Sequence, residues 1–151
     1  MKHLLLFIPV ISCITACALR PEPETRPAGE EVLSTDARRA AKTGTVDFAS
    51  HVKPILEQRC TMCHNRSSLK GHMSLENRSE AMRSGALGAY IVPGHPERSL
   101  LVTNVESHHQ ANAMPVVGTR LTADEVLILS KWILEGASWP SGAAGTLKTG
   151  L

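Results

Sequence analysis

Aromatic residues are scarce in this chain, at 3% of 151 residues. A domain of this length ordinarily uses Phe, Tyr and Trp in its core, so another apolar object must help to fill it. An excess of charge of one sign is also lacking, because 16 Lys and Arg face 14 Asp and Glu, which gives no indication of a nucleic-acid partner. Strand-like alternation of polar and apolar residues is missing as well. With a mean hydropathy of -0.06 and one short apolar run, the chain cannot be a multi-span membrane protein.

The first residues are typical of an export signal. After a short basic start, Leu4 to Ile14 form an apolar segment too short to span a bilayer. The following Ile14-Thr15-Ala16-Cys17 resembles a bacterial lipobox, which predicts a lipoprotein signal peptide over 1–16 and lipidation of Cys17. Ordinary signal cleavage after Ala18 also fits these residues. Either interpretation predicts export, and the first predicts a lipid anchor on the periplasmic face of a bacterial membrane.

The remaining chain divides by composition into three parts. Residues 17–44 are polar and proline-containing, which predicts a flexible tether. Residues 45–140 carry the apolar periodicity and form the predicted folded domain. Residues 141–151 are rich in Gly, Ala and Thr and are predicted to be a disordered tail.

A five-residue motif carries the strongest functional signal. Cys60-Thr61-Met62-Cys63-His64 has the C-x-x-C-H spacing of c-type haem attachment. Two thiols at this spacing reach the two vinyl groups on one haem edge, and the adjacent imidazole supplies the proximal iron ligand. The alternatives are a disulfide or a buried thiol pair. A thioredoxin-like site would need a βαβ context, which this sequence lacks. A zinc site would need a second pair of ligands, which is also missing.

Helical periodicity surrounds the motif. Phe48, Val52, Leu56 and Cys60 recur every four residues and predict a helix that starts near 50–53, with Pro54 in its first turn and His51 on the surface. Further helices are predicted around Asn77 to Ser84 and over Pro96 to Val105.

The last predicted helix starts at a capping box of Thr122 and Glu125 and stops at Gly136. Leu121 and Val126 occupy the positions of a hydrophobic staple. The buried stripe is predicted to consist of Val126, Leu129, Trp132 and Ile133.

These segments together resemble the c-type cytochrome domains of planctomycetes and related bacteria. The similarity covers most of 45–140 and is carried by these runs: Val46-Asp-Phe48, Pro54-Ile-Leu56, Cys60 to His64, Leu69, Met73-Ser-Leu75, Ile91 to Leu101, Met114-Pro115, Leu121 to Glu125 and Trp132 to Pro140. The resemblance implies an all-α, class I-like cytochrome c fold, with three to five helices and long loops around one covalently attached haem c. It also implies electron transfer. Val116 departs from the pattern, because that family often has a second proline there.

The second axial ligand has several candidates, namely Met114, Met73, Met82, His72, His95, His108 and His109. Met114 is favoured because it precedes the last helix, and because Pro115 biases it away from helix into a stiff loop. By the family resemblance it also corresponds to the distal methionine. His108 and His109 are the main competitors. The predicted haem contacts are therefore Cys60, Cys63, His64 and Met114, with His64 and Met114 on the iron.

The predicted function is a monohaem one-electron carrier that docks transiently with redox partner proteins and is not an enzyme. His/Met ligation fills both axial positions, which favours outer-sphere electron transfer. A haem-based gas or peroxide sensor, or an enzyme with a labile sixth ligand, is the alternative. An accessory subunit whose haem mainly holds the fold is a third. The haem would itself explain the low aromatic content, since the porphyrin is a large apolar object in the core.

Overall fold

The structure, a computed structural model, describes residues 33–85, 88–109 and 111–149. In this part of the chain the α-helices are α1 (Thr35–Thr43), α2 (Lys53–Arg59), α3 (Arg78–Ala81), α4 (Leu100–Glu106) and α5 (Ala123–Leu134). A π-helical turn at Phe48–Val52 and 3-10 turns at Lys70–His72, Pro96–Arg98 and Gly142–Gly145 connect or flank them. The described strands are β1 (Ser84–Gly85) and β2 (Gly88–Ala89), a two-residue antiparallel pair. The predicted all-α fold is confirmed.

The C-terminal helix α5 begins as its sequence predicts. The Thr122 side chain accepts a hydrogen bond from Glu125 N–H (3.2 Å), and the Glu125 carboxylate accepts one from Thr122 N–H (2.7 Å). Leu129, Trp132 and Ile133 are buried as predicted. Val126 is only half-buried, and Ile128 lies fully inside instead. The capping box and most of the apolar stripe are therefore confirmed.

The helix that leads to the motif starts earlier than its proline suggests. The π-helical turn Phe48–Val52 runs directly into α2, whose first turn holds Pro54. His51 lies in that turn and is only 5% exposed. Its Nδ1 accepts from Asp47 N–H (3.0 Å), and its Nε2 lies 3.3 Å from the Asp36 carboxylate. The prediction that His51 is a surface residue is therefore wrong, because the imidazole bridges two chain segments.

The helix predicted over Pro96 to Val105 is divided in two. Ser99 is extended (φ -91°, ψ 114°) and separates the 3-10 turn Pro96–Arg98 from α4. Its buried hydroxyl donates to His95 C=O (2.9 Å) and accepts from Val92 N–H (2.8 Å). A short polar side chain that bonds to nearby backbone in this way competes with helix continuation.

Both predicted domain boundaries need correction. Residues 35–43 form α1 rather than a flexible tether, and α1 buries Ala37, Ala40 and Ala41 against the core. The ammonium group of Lys131 in α5 donates to Ala40 C=O at the end of α1 (2.9 Å). Residues 141–149 likewise pack onto the domain, with Leu147 only 4% exposed. The folded part therefore extends beyond 45–140 on both sides.

Three of the four aromatic side chains within the described residues are concentrated at one place. Phe48, Trp132 and Trp139 pack together with ring centroids 4.6 to 5.8 Å apart. The predicted signal peptide 1–16 and Cys17 lie outside the described residues. No helix of the described ranges is long and apolar enough to cross a membrane.

Candidate cofactor site

The Cys60–His64 segment forms a tight turn at the end of α2. Cys60 N–H donates to Leu56 C=O (3.0 Å), and the N–H groups of Cys63 and His64 both donate to Cys60 C=O (3.1 and 2.9 Å). The turn brings both thiols and the imidazole close together within five residues. Cys60 is buried, Cys63 is half-buried, and both are free thiols rather than a disulfide.

Two residues that the sequence did not single out hold this turn in place. Thr61 is fully buried, and its hydroxyl lies 2.9 Å from Glu57 C=O and 3.0 Å from Lys148 C=O. The Asn65 amide donates to Thr61 C=O (2.7 Å), while its oxygen accepts from the N–H groups of Ser67 and Ser68. The turn is thus tied to its own helix, to the loop after it and to the C-terminal segment. For Thr61, the only signal in the sequence is that a polar residue stands inside the attachment motif.

His64 has the orientation that a metal-bound histidine requires. Its Nδ1–H donates to Lys70 C=O (3.0 Å), which leaves Nε2 as the nitrogen able to bind iron. Burial lowers the pKa of His64, against the opposing effect of the Lys70 and Met73 carbonyl groups. The neutral imidazole, which is the form that binds a metal, is therefore favoured.

The carbonyl group that orients His64 belongs to an unusually wound loop. Leu69, Gly71 and His72 all have positive φ values, of 42°, 65° and 58°. Left-handed backbone is unfavourable for leucine and histidine, so surrounding contacts must hold it. One such contact is the Tyr90 hydroxyl, which donates to Gly71 C=O (2.7 Å).

A cavity of about 500 Å³ lies beside the turn. The predicted residues Cys60, Cys63, His64 and Met114 all line it. Met114 is half-buried, and its N–H donates to Asn104 C=O of α4 (2.9 Å). The other lining residues come from the turn, the His64 loop, α4 and the loop after Met114: Arg59, Lys70, Gly71, Met73, Tyr90, Leu100, Leu101, Asn104, Val105, Pro115, Val116, Val117 and Leu121.

The other candidates for the second axial ligand differ in whether they line this cavity. Met73 also lines it and is buried in the core. His72, His108 and His109 are exposed and are not among its lining residues, nor are Met82 and His95. The structure therefore brings together the four residues that the sequence predicted and leaves the main competitors, His108 and His109, outside.

A buried ion pair joins Arg59, at the end of α2 beside the cavity, to helix α5. The Arg59 guanidinium donates to the Glu125 carboxylate (Nε to Oε1, 3.0 Å), and Glu125 is completely buried. Because the other carboxylate oxygen caps α5, Glu125 joins the residue before Cys60 to the start of that helix. Burial raises the pKa of the Cys60 thiol to about 12, and the negative charge of Glu125 adds to this while Arg59 opposes it.

These residues fit a covalently held haem. The cavity volume falls within the roughly 300–1,000 Å³ of cofactor pockets, and its walls are mainly apolar. Two thiols at the haem-attachment spacing and a neutral imidazole share one wall, and a thioether is available from the loop after α4. Within the described part of the chain, no cluster of three His, Cys, Asp or Glu side chains offers a different metal site.

The helical fold and this donor set resemble those of a c-type cytochrome domain. Residues 60–115 match the family described as Planctomycete cytochrome C, which confirms the resemblance seen in the sequence. The chain is also 30% identical over 143 residues to hydrazine synthase subunit alpha of Kuenenia stuttgartiensis. That match covers 75% of this chain but only 18% of the relative. No solved structure matches the chain.

Proposed function

We propose that this chain is a monohaem c-type cytochrome that carries one electron, with His64 and Met114 as axial ligands. The observation that carries the proposal is the shared cavity: Met114 lines it together with Cys60, Cys63 and His64. His108 and His109 are exposed outside it, so a bis-histidine site has less support.

The chain's own residues have distinct tasks in this proposal. Bound haem iron supplies one-electron chemistry. The Lys70 carbonyl holds the His64 ring in one tautomer, and the α4 backbone bond to Met114 N–H holds the distal loop against the domain. Apolar residues such as Leu101 and Val105 exclude water, which favours a raised reduction potential.

The place of work that we propose is the periplasmic face of a bacterial membrane. Cys17 would be lipidated, and its lipid would hold the domain near membrane-bound redox partners, with which it docks transiently. Substituting Cys17→Ser should move the protein from the membrane fraction to the soluble fraction, while the haem content stays the same. A variant that stays with the membrane would contradict the anchor.

A sensor or enzyme with a labile sixth ligand is the second candidate. It has support from the enzyme name of the relative, although the aligned part is less than a fifth of that protein. It is also supported by the half-burial of Met114 and by the exposure of Val116 and Val117 in the same loop. A ligand on a partly exposed loop can be displaced more easily than one fixed in a core.

The two candidate functions differ in how firmly the ligand at the sixth coordination position of the iron is held. We expect Met114→Ala to abolish the weak far-red absorption band of sulfur-to-iron ligation and to make the reduced protein bind carbon monoxide. His108→Ala and His109→Ala serve as matched controls and should keep the band. If a histidine variant, rather than Met114→Ala, changes the spectrum, the ligand assignment is wrong. Carbon monoxide binding by the unmodified protein would favour the second candidate.

A further inference from the structure

The loop that orients His64 has little side-chain packing of its own. Residues 69–72 are all exposed, including Leu69 at 47%. The loop nevertheless has positive φ values at Leu69, Gly71 and His72. Leucine and histidine adopt this backbone conformation only where surrounding contacts impose it. The winding of the loop must therefore depend on hydrogen bonds to its backbone.

Tyr90 supplies the hydrogen bond that reaches this loop from elsewhere in the fold. Among the described residues, its hydroxyl is the one side-chain group outside 64–73 that bonds to the loop, donating to Gly71 C=O (2.7 Å). Tyr90 is only 5% exposed, and its own C=O accepts from Leu101 N–H of α4 (3.0 Å). Burial raises the pKa of Tyr90, so the hydroxyl keeps its proton well above neutral pH. A buried ring thus joins the exposed loop to α4.

The bond from Tyr90 acts next to the carbonyl group that His64 uses. Lys70 C=O accepts from His64 Nδ1–H (3.0 Å) and from Met73 N–H (3.3 Å). The two peptide planes that carry the Lys70 and Gly71 carbonyl groups meet at the Gly71 Cα. Because only two backbone dihedrals relate these rigid planes, fixing one carbonyl restricts the direction of the other.

We propose that Tyr90 is a positioning residue for His64: by fixing Gly71 C=O, its hydroxyl keeps Lys70 C=O on the Nδ1–H of the iron ligand. This inference rests on the proposed function, in which His64 binds a haem iron. A carbonyl acceptor on the second ring nitrogen raises the basicity of a ligand imidazole. A more basic ligand stabilises the oxidised iron, so the Tyr90 hydroxyl lowers the reduction potential.

The test compares Tyr90→Phe, which removes only the hydroxyl, with Thr146→Val. The Thr146 hydroxyl also donates to a backbone carbonyl, that of Gly142 (3.0 Å), but Thr146 does not line the cavity. In the reduced holoprotein we expect Tyr90→Phe to speed exchange of the His64 Nδ1 proton with water about fivefold in NMR, the effect of one lost hydrogen bond. At a fixed ambient potential, the ratio of reduced to oxidised holoprotein should rise about threefold, which is about 28 mV for a one-electron couple. Thr146→Val should change neither quantity.

The sign of the change in potential separates positioning from loosening of the fold. If Tyr90 only supported the cavity wall, loss of its hydroxyl would admit water, and the ratio of reduced to oxidised holoprotein would fall. A fall in that ratio would therefore overturn the inference. An unchanged ratio, or an unchanged rate of proton exchange at His64, would overturn it as well.

Gly71→Ala tests the same loop if Tyr90→Phe fails to mature. A Cβ at Gly71 would have no atom within 4 Å, but φ is +65° there, so alanine strains the loop without crowding Tyr90. Both quantities should change in the same direction as for Tyr90→Phe, and the absence of any change would overturn the inference. The proposed function fails separately, if the unsubstituted chain gains no haem or if Met114→Ala keeps the far-red band.

Discussion

The buried carboxylate of Glu125 allows the sharpest test of how the site is held. Its two oxygens accept from Arg59 Nε (3.0 Å) and from Thr122 N–H (2.7 Å), and the residue is 0% exposed. Replacing Glu125 with alanine removes a buried partner of Arg59 and half of the capping box. Losing one partner of a buried ion pair costs about 3–5 kcal/mol. Since the Arg59 side chain keeps 13% exposure and so some solvation, we expect about 3 kcal/mol for Glu125→Ala.

The assay is urea unfolding of the holoprotein, followed by circular dichroism. Glu125→Gln keeps the shape and one acceptor oxygen, so it should cost less than alanine, about 1–3 kcal/mol. The double variant Arg59→Met with Glu125→Leu replaces both partners by apolar groups of similar size. It should be more stable than Glu125→Leu alone, because no uncompensated charge is then buried. A cost below about 1 kcal/mol for Glu125→Ala would refute the reasoning.

Three further predictions concern other parts of the structure. Leu147→Ala should destabilise the domain by about 2–3 kcal/mol in urea unfolding. The matched control Leu134→Ala, at a side chain that is 62% exposed, should cost under about 0.5 kcal/mol. Equal effects would contradict the packing of the C-terminal segment. Hydrogen bonds from Ser50 lower the pKa of Asp47, so this carboxylate stabilises the fold above its ordinary pKa of about 3.9, and the stabilisation is lost as the pH falls through the lowered value. Asp47→Asn should therefore be less stable than the unsubstituted protein at pH 7 but not at pH 2, and a difference that persists in acid would exclude the charge as its cause. In the haem-free chain at pH 8, a Cys60 thiol with a pKa of about 12 is ionised in only about one molecule in ten thousand. Iodoacetamide should therefore modify Cys63 before Cys60, as followed by mass spectrometry. The reverse order would contradict the burial of Cys60.

The parts of the fold that sequence predicted best depend on contacts within a few residues. The capping box of α5 joins residues three apart, and the attachment motif joins residues within one turn of chain. Turn and cap chemistry of this kind is visible in the sequence because the partners share one short segment. For the same reason Met114 was a strong candidate, since Pro115 beside it signals a loop.

The parts that sequence missed depend on partners far apart in the chain. His51 is buried because Asp36 reaches it from α1, fifteen residues earlier. The segment after Pro140 is ordered because Lys148 C=O accepts from Thr61 and Lys148 N–H donates to Glu57. Its composition of small residues suggests disorder, but one of them has a packing role: a side chain at Gly145 would collide with Pro140 C=O and crowd the buried Trp139 ring. No local pattern encodes such pairings.

The central claim is that one haem is bound by Cys60 and Cys63 and ligated by His64 and Met114. The most direct measurement is an optical spectrum of the chain matured with the haem-attachment machinery, recorded oxidised, reduced, and reduced with carbon monoxide, with the intact mass determined alongside. The account predicts one covalently added haem per chain, the far-red band of sulfur ligation in the oxidised state, and a reduced spectrum that carbon monoxide leaves unchanged. A spectrum that shifts with carbon monoxide, or a chain that gains no haem while a control cytochrome matures, would contradict it.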